Sequence, residues 1–287
     1  MGEVIRLDGK VAIVTGGGRG LGRAMALALV EAGARVVAVD LIEENLVRLE
    51  GEAAGLADGG ALSGVAADIR KAQDCRRAID TAITRFGRLD ILVNNAGLLP
   101  SYAWPGRFLD GAPPAKFWTL DDDVVQKVID TNFLAADRMA RYAVPHMIEK
   151  GWGRLVNVTT RLTTMNRTGA SPYGPSKAAL EMAAEIWMKD LAGTGVTVNI
   201  LNPGAAADTP GFATAEEKQV ATASGRLQMM DPDKMRAPIV WLVSHATDGI
   251  NGMRYDAADW DAARPPEEQA ALHGQPLGFA LKPKAGA

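Results

Sequence analysis

Val11-Ala-Ile-Val-Thr15-Gly16-Gly17-Gly18-Arg19-Gly20-Leu21-Gly22 is the stretch that decides the fold. Its first five residues are dominated by β-branched side chains and make a strand, and the run from Leu21 to Ala32 has the apolar spacing of a helix. The glycines between them leave backbone amides open to close approach at a helix N-terminus, where unpaired N–H groups and the helix dipole favour an anion. A glycine-rich run alone is a tight turn; a strand before it and a helix after it make a pyrophosphate-binding loop the better reading. Thr15, Gly16, Gly18, Arg19, Gly20, Leu21 and Gly22 are its candidate contacts.

Outward from this loop the same alternation repeats. Strand-like Arg35–Val39, Leu62–Ala66, Asp90–Asn94, Arg154–Thr159 and Val196–Ile200 are interleaved with helical segments at 43–54, 72–86, a helix from near Asp121, and one carrying Tyr173. With Met253–Asp256 as the last strand, this predicts one α/β, doubly wound Rossmann-type domain of about seven parallel strands with helices on both faces. The domain is expected to span 1–256. A Pro- and Gly-rich insert at 97–120, holding Trp104, Phe108, Phe117 and Trp118, is too long for an ordinary βα loop. A C-terminal extension, 257–287, shows little strand character.

The 287 residues carry 31 basic and 34 acidic side chains, a formal charge of −3, which supplies no basic field for nucleic acid or an anionic membrane. Cys75 is the single cysteine, so neither a disulfide nor a cysteine-built zinc site is expected, and the three scattered histidines suggest no metal. The opening Met1–Lys10 lacks a signal-peptide apolar run, and no apolar stretch of about 18 residues is present. A cytoplasmic protein is the expectation.

Two further positions bear on chemistry. Asp40 ends the second strand, at the interval where a carboxylate accepts hydrogen bonds from an adenosine ribose, and it would repel a 2′-phosphate. NAD is therefore favoured over NADP, although Arg19 can assist a phosphate, and Asp40 also reads as a cap for the helix beginning Glu43-Glu44. Tyr173 and Lys177, in Ser-Pro-Tyr-Gly-Pro-Ser-Lys, stand at i and i+4 on one helical face. A cation there favours the phenolate and is expected to bring the tyrosine below its ordinary ~10, toward general acid/base work.

Taken together, these motifs resemble those of the short-chain dehydrogenase/reductase family over roughly Leu7 to Asp256. The family's glycine loop is matched by Thr15, Gly16, Gly20 and Gly22, its adenine-contacting aspartate by Asp68 with Ile69 beside it, and its Asn-Asn-Ala-Gly by Asn94-Asn95-Ala96-Gly97. Its helix asparagine is matched by Asn132, its Tyr-x-x-x-Lys by Tyr173 and Lys177, and its Pro-Gly pair by Pro203-Gly204. The resemblance implies that Tyr173 moves a proton while nicotinamide moves a hydride, that Lys177 binds the nicotinamide ribose and lowers the Tyr173 pKa, and that Asn132 supports a water beside Lys177. It also places Asn95, Ala96, Gly97, Pro203 and Gly204 against the cofactor.

Three departures stand out. The family's serine, thirteen residues before the tyrosine, is Thr160 here, with Thr159 the alternative. The threonine usual four residues after the Pro-Gly glycine is displaced by Asp208, leaving Thr209 as the carboxamide contact. The Asp-Gly-Gly after the last strand becomes Asp256-Ala257-Ala258-Asp259-Trp260.

The predicted activity is NAD-dependent hydride transfer on a secondary alcohol or ketone with an apolar or aromatic portion, with the insert aromatics either lining its pocket or packing on the insert's own surface, and 205–226 forming a lid. A 3-oxoacyl thioester reductase, an NAD-retaining epimerase or dehydratase, and an inert dinucleotide-binding protein are the alternatives. Arg161 and Arg167 read as solvated, with pairing of one of them to a substrate carboxylate or phosphate as the alternative, and a homo-oligomer, tetramer or dimer, is expected with the helix Glu181–Leu191 as a candidate contact.

Overall fold

The computed structural model describes residues 4–56, 61–109, 112, 115–209, 214–224 and 229–279. Parts of the expected insert (110, 111, 113, 114), lid (210–213, 225–226) and tail (280–287) lie outside the described residues.

Strands β1 (Val11–Thr15), β2 (Arg35–Asp40), β3 (Ala61–Ala66), β4 (Ile91–Asn94), β5 (Gly153–Asn157) and β6 (Val196–Asn202) belong to the central sheet. A small two-stranded sheet, β7 (Ala206–Ala207) with β8 (Met229–Met230), stands apart from it. The central sheet is completed by β9 (Met253–Asp256) and β10 (Gln275–Pro276), giving the order β10-β9-β6-β5-β4-β1-β2-β3. Seven of its eight strands are parallel, and β10 runs antiparallel to β9.

Alternation along each strand sorts the core into two layers. Ala12 and Val14 of β1 face the layer that also holds Met25, Leu29 and Trp241, whereas Val11 and Ile13 face Cys75, Ile79, Met139 and Met147. Helices α1 (Gly20–Glu31) and α2 (Glu43–Ala54) cover the first face. The second is covered by α3 (Ala72–Phe86) and, beyond the short α4 (Pro100–Ala103) and α5 (Asp122–Ile129), by α6 (Ala135–Glu149). After a single turn, α7 (Leu162–Met165), the chain enters α8 (Tyr173–Asp190), which joins this second face. The lid segment supplies α9 (Ala215–Ala223), and α10 (Arg236–Leu242) returns to the first face beside α1. Among the described residues, no helix is long and apolar enough to cross a membrane.

The tail departs from expectation. Beyond Asp256 it forms α11 (Pro266–His273) and then β10, so it adds an edge strand rather than trailing away. Trp260 is buried and packs on Trp241 and Tyr255, with ring centroids 5.3 and 6.2 Å away. Aromatic burial of this kind anchors the chain where the family's Asp-Gly-Gly is missing.

Candidate active site

The strand order reverses between β1 and β4, and a crevice opens beyond their carboxyl ends. The glycine loop forms one wall. Gly16 and Gly20 have φ of +61° and +55°, a left-handed backbone that disfavours other residues. A methyl group at Gly22 would overlap the Gly16 carbonyl. α1 begins without a side-chain cap or an acidic residue in its first turn, which leaves the dipole end uncompensated by protein groups.

Thr15 and Asn95 brace this loop. Asn95 Nδ2 donates to the carbonyls of Thr15 and Gly16 at 2.9 and 3.1 Å, and the Thr15 hydroxyl accepts from the amides of Asn95 and Ala96 at 3.0 and 3.2 Å. Asp40 accepts from the Gly18 amide at 3.0 Å and from the Ile42 amide at 3.0 Å, so it joins the loop to the start of α2. Asp68 is drawn into a local ion pair instead of facing the crevice unpaired. Arg70 Nε and Nη2 donate to it at 2.9 and 2.7 Å, and this pairing holds its carboxyl below the usual range. The Ile69 side chain is buried, and its carbonyl accepts from Cys75 Sγ at 3.0 Å.

A cavity of about 190 Å³ runs from Leu21 past Asn95 and Gly97 to Thr160, Tyr173 and Lys177, with Pro203, Gly204 and Thr209 on its far side. Thr209 sits directly over the glycine loop: a Cβ on Gly20 would lie 2.8 Å from its Cγ2. Asp208 points elsewhere and pairs with Lys218 at 2.8 Å.

Tyr173 begins α8, and Lys177 follows one turn later on the same buried face. Lys177 Nζ donates to the Val158 carbonyl at 2.7 Å. Gly97 makes room for this arrangement, because a Cβ there would come within 3.2 Å of Asn132 Oδ1 and 3.4 Å of Lys177 Nζ. Asn132 lies in a single π-turn, Asp130–Leu134, between α5 and α6. Its Oδ1 accepts from the Leu98 amide at 2.7 Å, and its Nδ2 donates to the Leu98 carbonyl and to Ser176 Oγ, both at 3.0 Å. The helix distortion that aims this side chain has no signature in the sequence.

The two threonines follow the end of β5 and take different partners. Thr160 and Tyr173 both line the cavity, and the Thr160 side chain favours ionisation of the phenol. Thr159 instead turns inward, its hydroxyl 2.7 Å from Asn202 Oδ1 and 3.1 Å from Glu181 Oε2. Thr160→Val is therefore expected to cut turnover by at least tenfold, the order of one charge-assisted hydrogen bond. Thr159→Val is expected to lower the melting temperature with a smaller effect on turnover; steady-state kinetics and thermal melts on both variants check this, and the reverse pattern would exchange their roles.

One expectation is corrected by the electrostatics. Burial pushes the Tyr173 phenol up to about 12, against the pull of the Thr160 hydrogen bond and the Arg167 charge, and pushes the Lys177 ammonium down to about 8. Desolvation thus outweighs the cation one turn away, and in this state the phenol holds its proton. Two other expectations also change. Arg161 is not simply solvated: its Nε donates to Asp256 at 2.8 Å and its Nη2 to Asp259 at 2.9 Å. The insert aromatics do not line the cavity. Trp104 Nε1 is tied to the Ser171 carbonyl at 3.1 Å, Phe108 is buried, and Phe117 and Trp118 pack edge to face in solvent. The insert's contribution to the wall is Gly97, Leu99 and Pro100.

Sequence reasoning missed the support beneath Thr160. Arg254 of β9, itself buried, donates to Glu181 Oε1 at 3.0 Å and to the Thr160 carbonyl at 2.9 Å. No local spacing signals a pair so far apart in the chain.

Known proteins place this geometry. A family model described as short chain dehydrogenase matches residues 10–220. The 3-oxoacyl-(acyl-carrier-protein) reductase of Thermotoga maritima is 29% identical over 251 residues, covering 86% of this chain and 96% of that protein. The L-fucose dehydrogenase of Bos taurus is 32% identical over 252 residues, covering 84% and 86% respectively. The crystal structure of 3-ketoacyl-(acyl-carrier-protein) reductase from Brucella melitensis complexed with NADH superposes with a TM-score of 0.73 at 29% identity, over 87% of this chain and 97% of that one. On the span of the family model and the agreement of fold, the chain belongs to the short-chain dehydrogenase/reductase family, whose members are oxidoreductases that bind NAD or NADP.

Proposed function

We propose that this protein is an NAD-dependent oxidoreductase that interconverts a secondary alcohol and its ketone. The observation that carries the reading is the placement of Thr160, Tyr173 and Lys177 together in the wall of a cavity that begins at the glycine loop, with Lys177 one turn after Tyr173. The loop and crevice suit a dinucleotide: uncapped amides and a dipole end for the pyrophosphate, Asp40 for the ribose, and the Gly97–Lys177 region for the nicotinamide end. When bound, the nicotinamide supplies the two-electron acceptor or donor.

In the oxidative direction the carbinol carbon gives up a hydride and its hydroxyl proton passes to Tyr173, leaving a ketone, reduced cofactor and one proton. In reduction the same phenol returns the proton to the carbonyl oxygen. Thr160 orients that oxygen through its hydroxyl, and Lys177 places a positive charge beside the ribose and the phenol. The cavity wall contributed by Leu21, Leu99, Pro100 and Val158 suits a substrate with an apolar portion. No side chain of the insert other than Leu99 and Pro100 is required for this.

Cofactor choice rests on Asp40. Its carboxylate already accepts two backbone amides, which fixes its orientation at the glycine loop and supports a reading in which its charge would repel a 2′-phosphate. Kinetics with both cofactors are expected to show a preference for NAD of at least tenfold, and the Asp40→Ser, Leu41→Arg double variant is expected to move the preference toward NADP. An unchanged ratio in that variant would count against the assignment of Asp40.

A further inference from the structure

We infer that the substrate carries an anionic oxygen group, a carboxylate or a phosphate, received by the Arg167 guanidinium at the mouth of the Tyr173 cavity; this rests on the dehydrogenase reading above. The lining of that cavity includes Arg161, Arg167 and Lys177 and no aspartate or glutamate. Two of the three cations are committed. Lys177 Nζ is held by the Val158 carbonyl, and Arg161 is neutralised by Asp256 and Asp259. Arg254, beneath the site, is neutralised by Glu181. Arg167 is exposed and makes no ion pair among the described residues.

The backbone that presents Arg167 is fixed from two sides. A turn closes with the Ala170 amide donating to the Arg167 carbonyl at 3.2 Å. The insert clasps the same segment at Gly169 and Ser171, through Arg107 Nη1 to the Gly169 carbonyl at 3.3 Å and Trp104 Nε1 to the Ser171 carbonyl at 3.1 Å. The backbone from which the side chain extends is therefore fixed beside the cavity, and the side chain's charge favours ionisation of the Tyr173 phenol.

Arg107 adds a second positive charge to this rim. Burial and the neighbouring Arg167 both weaken its hold on its proton, whereas Glu217 of α9 strengthens it. Glu217 is itself committed, its Oε2 accepting from the Thr214 amide at 3.0 Å as part of a capping box. Two like charges at a cavity mouth, with a single carboxylate shared with a helix cap, repel each other until an anion arrives. Guanidinium is the side chain best shaped to receive one through paired N–H groups.

Three matched pairs of substrates test the inference with NAD in excess: 3-hydroxybutanoate against 2-butanol, D-gluconate against D-glucitol, and glycerol 3-phosphate against glycerol. In any pair that is turned over, the anionic member is expected to have the higher kcat/KM. Arg167→Gln is expected to reduce the anionic-to-neutral ratio by about tenfold or more, mainly through KM, and Arg167→Lys to restore part of it. A preference for the neutral member, or an unchanged ratio in Arg167→Gln, would overturn the anion subsite while leaving the dehydrogenase reading intact. Absence of turnover in every pair would count against that reading instead, and binding then decides the subsite. NMR titration of the NADH-loaded protein with acetate and with inorganic phosphate should show a saturable shift in the wild type that Arg167→Gln abolishes, the responding anion identifying the group. Equal titrations in wild type and variant would overturn it.

Discussion

Replacing Tyr173 by Phe is expected to lower kcat by about 10² to 10⁴, the span of a positioned proton transfer, while changing the NADH dissociation constant by no more than about twofold. Phenylalanine keeps the ring that packs at the start of α8 and removes only the hydroxyl. If that hydroxyl acts on the reacting oxygen as proposed, kcat and kcat/KM should fall together. The titration behaviour adds a direction. With the phenol pushed up to about 12, reduction finds its proton already in place at neutral pH, whereas oxidation needs the phenolate. The oxidative rate is therefore expected to climb with pH through the neutral and mildly alkaline range, helped by the positive ring of the oxidised cofactor and by Lys177 while it remains charged below about 8. A pH profile of kcat/KM in both directions, with fluorescence titration of NADH, checks both parts. Turnover by Tyr173→Phe at the wild-type rate would remove Tyr173 from the proton path.

The second large effect lies below the site. Glu181 is fully buried, and its charge is sustained by Arg254 and the Thr159 hydroxyl. Arg254→Met leaves that carboxylate without its cation and is expected to cost about 3–5 kcal/mol at neutral pH, the usual penalty for breaking a buried pair. The Thr160 carbonyl loses its donor at the same time, so activity should fall with stability. Burial raises the Glu181 carboxyl above its ordinary 4.5. An acid with a raised folded pKa binds more protons folded than unfolded, so its destabilisation is fully present above the folded value and disappears below 4.5. Removing Arg254 raises the folded value further, and the melting-temperature deficit of the variant is therefore expected to shrink as pH falls toward that limit. Glu181→Leu combined with Arg254→Met should recover much of the loss, since neither charge is then buried alone. Thermal melts across pH on the three proteins measure this; a deficit in Arg254→Met that is independent of pH would show that the buried charge is not its cause.

The features legible in the sequence are those whose cause is local. Glycines at 16, 20 and 22 announce a backbone that side chains cannot enter, and β-branched runs alternating with helical periods prescribe a parallel sheet. Tyr173 and Lys177 are legible for the same reason, since one helical turn separates them. The features that escaped are long-range. Glu181 with Arg254, and Arg161 with Asp256 and Asp259, pair only because β9 lies beside β6 and brings its residues under β5 and the turn after it. The tail's edge strand depends on β9 offering an unpaired side, and Trp260 becomes core only when Trp241 and Tyr255 leave it a place. The aromatic insert stayed ambiguous for a related reason. Composition shows that five aromatic rings are present in a loop, but their orientation follows from Trp104 and Arg107 being spent on the chain before Tyr173. The Tyr173 proton affinity could not be read from spacing either, because the i+4 cation is visible in sequence and the burial that outweighs it is not.

The proposed function assigns hydride transfer to the crevice and proton transfer to Tyr173, and the two can be followed with one label. NADH carrying deuterium at the transferable nicotinamide C4 position is incubated with the protein and a panel of ketones that includes keto acids, and the products are read by mass spectrometry. The account predicts deuterium at the new carbinol carbon, one atom for each NADH oxidised, and its loss in Tyr173→Phe. Product bearing no label, or an altered substrate with the labelled cofactor returned intact, would contradict it.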